Sequence, residues 1–311
     1  MLAVVAPGQG AQAPGMLTAW LELPRVPERL TWFSAAADLD LMALGTTADA
    51  DTIRDTAVAQ PLLVAAGLVA LEQLLAEQSR AFSVDVAAGH SVGELTASVV
   101  AGVLTAEQAM VLARERGRAM AQAAAATPTG MTAVLGGDPD EVFAALERTG
   151  LTAANVNGAG QVVAAGTLEQ LQVLAENPPP AARLRPLDVA GAFHTDHMAP
   201  AMDRLRALVG GMAVTDPTCR LLSNRDGSVV ATGRGMLTRL VEQVSAPVCW
   251  DACQATLAGL GVTGVLELAP AGPLTGLARR TLPGVATFAL RTPDQLDDAR
   301  AFLTDHSEAP A

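Results

Sequence analysis

The sequence predicts an α/β protein: a mostly parallel sheet with helices on both faces, carrying an inserted ferredoxin-like βαββαβ subdomain. Three observations predict it. Short apolar runs alternate with helical patterns in the first third of the chain. The middle switches to the order β-α-β-β-α-β. The α/β alternation then resumes toward the C-terminal end.

In chain order, Leu2 to Ala6 is an apolar strand that runs into a Pro-Gly-Gln-Gly loop. Pro61 to Glu77 has helical apolar spacing with Pro in the first turn. Val84 to Ala88 is a β-rich run, followed by Gly-His-Ser-Val-Gly and a helical pattern from Glu94; a further helix covers Ala106 to Ala124. In the middle, strands are expected at Met131–Leu135, Leu151–Asn155, Gln161–Ala165 and Leu184–Val189, and helices at Pro139–Arg148 and Leu168–Glu176. Thr127 to Gly130 and Gly191-Ala192 mark the crossings, so residues 127–192 form the small unit and residues 1–126 and 193–311 the large one. Beyond it come a helix at Ala199–Leu208, a hairpin at Asp226-Gly227, and helices at Leu237–Val244 and Asp251–Leu260. A strand at Val262–Leu268, a helix ending in Arg279-Arg280 and a strand at Val285–Leu290 complete the sheet; the tail from His306 is expected to fray.

The 311 residues are 50% hydrophobic and 17% charged, ample for a large core. The longest apolar stretch, Pro61 to Leu71, ends at Glu72 and is too short to span a bilayer. No basic segment precedes the first apolar run, so a signal peptide is not expected. Three scattered cysteines suit neither a disulfide framework nor a zinc site. A cytoplasmic, metal-free protein follows. A formal charge of -12 makes nucleic acid and anionic membranes poor partners. All basic residues are Arg, so recognition of an anionic group falls to guanidinium forks.

Gly89-His90-Ser91-Val92-Gly93 matches the nucleophile-elbow pattern and sits between a strand and a helix, the context that pattern requires. A serine nucleophile needs a base. Of four histidines, His306 lies in the tail and His90 points away from its neighbour Ser91, leaving His194 and His197. His194 follows the last strand of the inserted unit, at a cleft between subdomains, and is preferred. No acid is clearly placed to orient it, and a backbone carbonyl is an alternative. In Arg-Glu-Arg-Gly-Arg, Arg114, Arg116 and Arg118 point in different directions on a helix; Arg116 is the one to turn inward, with a substrate carboxylate as its partner, while the other two suit a solvated face.

The segments PGQGAQ, AQPLLVAAG, GHSVGEL, RERGRAM, NVNGAGQVVAAG, GAFHTDHM, SNRDG and PAGPLTGLARR, in this order, resemble the acyltransferase family of fatty acid and polyketide synthesis. Within it the chain is most similar to the malonyl-CoA:acyl carrier protein transacylases of bacterial type II systems, in their actinobacterial form. The resemblance implies a hydrolase-like core around the inserted subdomain. It implies a Ser91–His194 dyad, an oxyanion hole from the backbone N–H groups of Gln9 and Val92, and Arg116 as the carboxylate-binding residue. Phe193 matches members that favour unbranched malonyl; Asn157 and Gln161 match pocket positions, and Arg183 a basic residue near the CoA phosphates. The histidine-orienting carbonyl is expected in the Pro-Val-x-Trp stretch, where x is Cys249. The partners implied are malonyl-CoA and acyl carrier protein, with CoA thioester as substrate and no cofactor. A methylmalonyl-type transacylase and a serine esterase or thioesterase remain as alternatives.

Overall fold

The computed structural model describes residues 1–76 and 84–307. The chain opens with β1 (Leu2–Ala6), α1 (Val26–Ala37), α2 (Leu41–Thr46), α3 (Thr56–Leu75), β2 (Val86–Gly89), α4 (Gly93–Val100) and α5 (Ala106–Ala124). The middle runs β3 (Thr129–Gly136), α6 (Pro139–Thr149), β4 (Thr152–Gly158), β5 (Gln161–Thr167), α7 (Leu168–Glu176) and β6 (Ala182–Leu187). The remainder is α8 (Pro200–Gly210), β7 (Arg220–Leu222), β8 (Val229–Val230), α9 (Gly233–Glu242), β9 (Val248–Cys249), α10 (Trp250–Gly259), β10 (Gly264–Glu267), α11 (Pro273–Thr281), β11 (Ala286–Ala289) and α12 (Leu296–His306).

The larger sheet has the order β11-β10-β1-β2-β7-β8. Its first five strands pair in parallel, and β8 returns antiparallel to β7 across the expected hairpin. β1 is buried throughout and its side chains alternate between two cores. Leu2 and Val4 face the cluster that holds α3 and α5, whereas Ala3 and Val5 face the one that holds α10 and α11. Burial on both faces is what makes such strands apolar at every position.

The second sheet has the order β6-β3-β5-β4-β9. Its first four strands are antiparallel neighbours in the ferredoxin-like order, with α6 and α7 over the core of Val134, Leu146, Ala164 and Leu174. The fifth strand, β9, comes from the part of the chain that builds the larger sheet and pairs in parallel with β4.

Some elements differ from expectation. α3 starts before Pro61, because Asp55 accepts the Ala57 N–H and caps the helix one turn earlier; it ends at Leu75, and Glu77 lies outside the described residues. α3 is long and apolar enough to cross a membrane, yet 78% of its apolar window is buried inside the protein, and it packs along α5 as a core helix. The expected long helix from Glu94 stops at Val100, and Thr105 begins α5 with a capping box. α1, α2 and α12 are additional to the expected elements. His306 ends α12 and its ring meets Thr263, so the fraying expected from His306 does not begin there; residues 308–311 lie outside the described residues.

Gly89 and Gly93 let α4 sit directly on β1 and β2. A Cβ on Gly89 would fall 2.1 Å from the Gly93 carbonyl, and one on Gly93 would fall 2.2 Å from the Ala6 oxygen. These contacts are backbone and cannot swing aside. Gly93→Ala is expected to cost on the order of 3 kcal/mol or more, read as a large fall in thermal midpoint. Gly276→Ala on α11, where nothing lies within 4 Å, should leave the midpoint unchanged or raise it.

Candidate active site

The turn between β2 and α4 puts Ser91 at φ 52°, the left-handed conformation that a sharp elbow demands. Asn224 braces it from the β7–β8 hairpin. Its Oδ1 accepts the Ser91 N–H at 2.7 Å and its Nδ2 donates to the Gly89 carbonyl at 2.7 Å. The Ser91 hydroxyl is thereby turned into a cavity of about 380 Å³ between the two sheets, lined among others by Gln9, Val92, Arg116, Asn155, Phe193 and His194.

His194 Nε2 lies 2.7 Å from Ser91 Oγ. The histidine itself has φ 62°, so both members of the pair sit on strained backbone. Its Nδ1 lies 2.8 Å from the Gln243 carbonyl. A carbonyl only accepts, so the proton belongs on Nδ1 and the Nε2 lone pair faces the hydroxyl. The orienting carbonyl is therefore Gln243, not Cys249. Gln243 begins the 3₁₀ turn after α9, which lifts its carbonyl toward the ring. Cys249 pairs with Val156 in the second sheet and donates its N–H to Asn224. Burial, then the Arg116 charge, push His194 down to about 3. The ring is neutral near pH 7 and able to accept a proton. His197 sits on the 3₁₀ turn that Thr195 caps and does not line the cavity.

Arg116 turns inward and is 3% exposed. Its Nη2 donates to Ser91 Oγ at 3.2 Å and to Gln243 Oε1 at 2.9 Å, and its Nη1 donates to Gln60 Oε1 at 2.7 Å. Its Nε is buried and has no hydrogen-bond partner among the described residues. Arg114 and Arg118 instead pair with Glu115 and Asp38, as a helix surface would have them. No carboxylate pairs directly with Arg116 among the described residues, but one stands a single amide away. Glu94, fully buried in α4, accepts from Gln243 Nε2 at 2.5 Å and from the Asn224 N–H at 2.5 Å, so the Gln243 amide relays it to Arg116. Burial pushes the Glu94 carboxyl up to about 8, while the Asn224 N–H and the Arg116 charge hold it down.

The other expected residues divide. Gln9 and Val92 line the cavity on either side of Ser91, and Phe193 closes one wall at 6% exposure. Gln9 is held by its side chain, whose Nε2 donates to the Arg54 carbonyl at 3.3 Å. Asn157 does not line the cavity: its Oδ1 lies 2.9 Å from Nε2 of His90, which does. Gln161 opens β5 opposite Leu135, away from the cavity. Arg183 is exposed and lines a different groove, between β3, β6 and α7. Residues not expected from the sequence include Gln60, Glu94, Asn155, Asn224 and Gln243. Glu94 and Asn224 lie in the segments GHSVGEL and SNRDG and are fully buried, unlike the exposed Arg225 and Asp226 that follow Asn224.

A model of the acyl transferase domain family matches residues 4–292. The chain is 51% identical over 298 residues to the malonyl CoA-acyl carrier protein transacylase of Mycobacterium tuberculosis, covering 96% of this chain and 99% of that one. The crystal structure of that organism's enzyme superposes with a TM-score of 0.92, again covering 96% and 99%. A malonyl-transacylase solved in complex with its type II PKS acyl-carrier protein is 29% identical, with a TM-score of 0.89 over 96% of this chain and 99% of its own.

The low value at His194 sets the pH dependence of Ser91 reactivity. Because the shift is downward, the neutral base persists as pH falls through the ordinary histidine range of about 6.5. Inactivation by a serine-directed phosphonofluoridate should stay flat down to about pH 5. Arg116→Ala removes the neighbouring positive charge and should move the acid limb upward. A wild-type limb centred on the ordinary histidine value would contradict the burial argument.

Proposed function

The chain belongs to the acyl transferase family, and from that premise we propose that it is a malonyl-CoA:acyl carrier protein transacylase. The observation that carries this reading is the convergence on one hydroxyl, Ser91 Oγ, of a neutral base 2.7 Å away and a buried guanidinium 3.2 Å away. A serine hydrolase needs the first of these. The second serves a substrate with a free carboxylate.

The mechanism is ping-pong. His194 takes the Ser91 proton as Oγ attacks the thioester carbonyl, and the N–H groups of Gln9 and Val92 receive the oxyanion, each donor contributing roughly 3 kcal/mol. The thiolate of CoA leaves with the proton from His194, giving malonyl-Ser91. The phosphopantetheine thiol of acyl carrier protein then gives its proton to His194 and attacks the ester carbonyl, and Ser91 regains its proton. The Arg116 Nη2, which reaches Ser91 Oγ at 3.2 Å in the cavity, supports a role in holding the malonate carboxylate. An acetyl group would leave that charge unmet. Phe193 narrows the wall beside the acyl group and favours unbranched malonyl over methylmalonyl. The thioester supplies the chemical activation, so the reaction needs no cofactor.

The same reading divides the chain into a large unit of residues 1–126 and 193–311 and a small one of residues 127–192; the four antiparallel strands β3–β6 support it. Product of the reaction is the extender unit of fatty acid or polyketide synthesis, work that belongs in the cytoplasm. The type II carrier protein bound to a relative supports an acyl carrier protein as the acceptor here.

Intact-mass spectrometry after incubation with malonyl-CoA should show a malonyl adduct on the wild type and none on Ser91→Ala; a full adduct on the variant would sink the mechanism. Arg116→Ala should lower kcat/KM for malonyl-CoA by the equivalent of about 2–5 kcal/mol while acetyl-CoA loses less. An unchanged malonyl:acetyl ratio would leave Arg116 a structural residue only.

A further inference from the structure

A buried arginine next to a nucleophile raises two problems that its own contacts leave open. Gln60 and Gln243 offer it neutral amide oxygens, and neither balances its charge. An amide is also ambiguous, because the same side chain turned over would present N–H to the guanidinium. Glu94 resolves both. Each of its oxygens faces an N–H donor, Asn224 N and Gln243 Nε2, both at 2.5 Å. Burial pulls the carboxyl toward its neutral form, but with both oxygens occupied by donors this geometry suits the carboxylate, which only accepts.

We propose that Glu94 is the positioning residue for carboxylate selectivity: it locks the Gln243 amide with Oε1 toward Arg116 and supplies the counter-charge that keeps Arg116 in the pocket until substrate arrives. This rests on the transacylase reading above. The lock has a second arm. The Asn224 backbone N–H is held by Glu94 while its Oδ1, which also faces Gln243 Nε2 at 3.1 Å, accepts from the Ser91 amide. One carboxylate thus braces both the cation that selects and the turn that attacks. Other buried carboxylates are committed elsewhere: Glu267 caps α11 through Leu274 and Thr275, and Glu115 pairs with Arg114 and Arg204.

The consequence is specific to Glu94→Gln, a change that conserves shape. A glutamine there has one acceptor and one donor end. It either confronts the Asn224 N–H with its own N–H or forces Gln243 to turn over and present N–H to Arg116. Folding is checked first by thermal melting. The malonyl-CoA:acetyl-CoA ratio of kcat/KM is then expected to fall roughly ten- to a hundredfold, the effect of losing a hydrogen bond to a charged group, with KM for malonyl-CoA rising more than kcat falls. A purely structural role would lower both substrates alike and leave the ratio where it was, which would overturn the proposal. Gln243→Met, which keeps the backbone carbonyl on His194, cuts the relay in its middle and serves where Glu94→Gln does not fold; an unchanged ratio there also overturns it. When both variants fold, the double variant must be non-additive, and additive losses would show that Glu94 does not act through Gln243. A wild type without preference for malonyl would instead refute the transacylase reading itself.

Discussion

The structure hangs on the close approach of α4 to the ends of β1 and β2. Gly89 and Gly93 have backbone where a side chain would be, and the chain between them turns through a left-handed serine. That geometry is strained for a residue with a Cβ and persists only because surrounding bonds over-determine it. Asn224 ties the serine amide and the Gly89 carbonyl together, and the His90 N–H returns to Ala6. Every functional distance at the site is measured from a hydroxyl whose position this turn sets.

Around that hydroxyl the protein solves a problem of burial. It places a neutral imidazole, a guanidinium and a carboxyl within one buried region, where an isolated charge costs several kcal/mol. The charges are not in direct contact. Gln243 stands between Glu94 and Arg116 with its side chain, and its backbone carbonyl orients His194. With the carboxyl one amide away, the Arg116 donors go to the neutral oxygens of Gln60, Gln243 and Ser91. Burial, with the same positive charge, keeps His194 unprotonated, so its Nε2 lone pair is free to face the hydroxyl.

Much of this was legible in the sequence, and the limits are physical. Ser91 announces itself through glycines at fixed offsets between strand and helix, and His194 through scarcity. The βαββαβ order follows from periodicity alone. A carbonyl carries no letter, however, and the one that orients His194 comes from where the turn after α9 tightens, six residues before Cys249. Strand alternation predicts that Asn155 and Asn157 share a face. Register shifts in β4 on both sides of Asn155 and Val156 break the alternation, so Asn155 lines the cavity and Asn157 reaches His90. Glu94 hides because α4 is buried along most of its length and has no polar face to betray which residue is out of place.

The pairing of β9 with β4 has a mechanical meaning. A unit that leaves and re-enters a larger body through two adjacent chain segments would swing like a door on its hinges. The parallel contact of Asn155 with Val248 and of Val156 with Cys249 adds a third fastening. The wall of the slot that carries Asn155 is thus joined to the segment following Gln243 by backbone pairing as well as by the run of the chain.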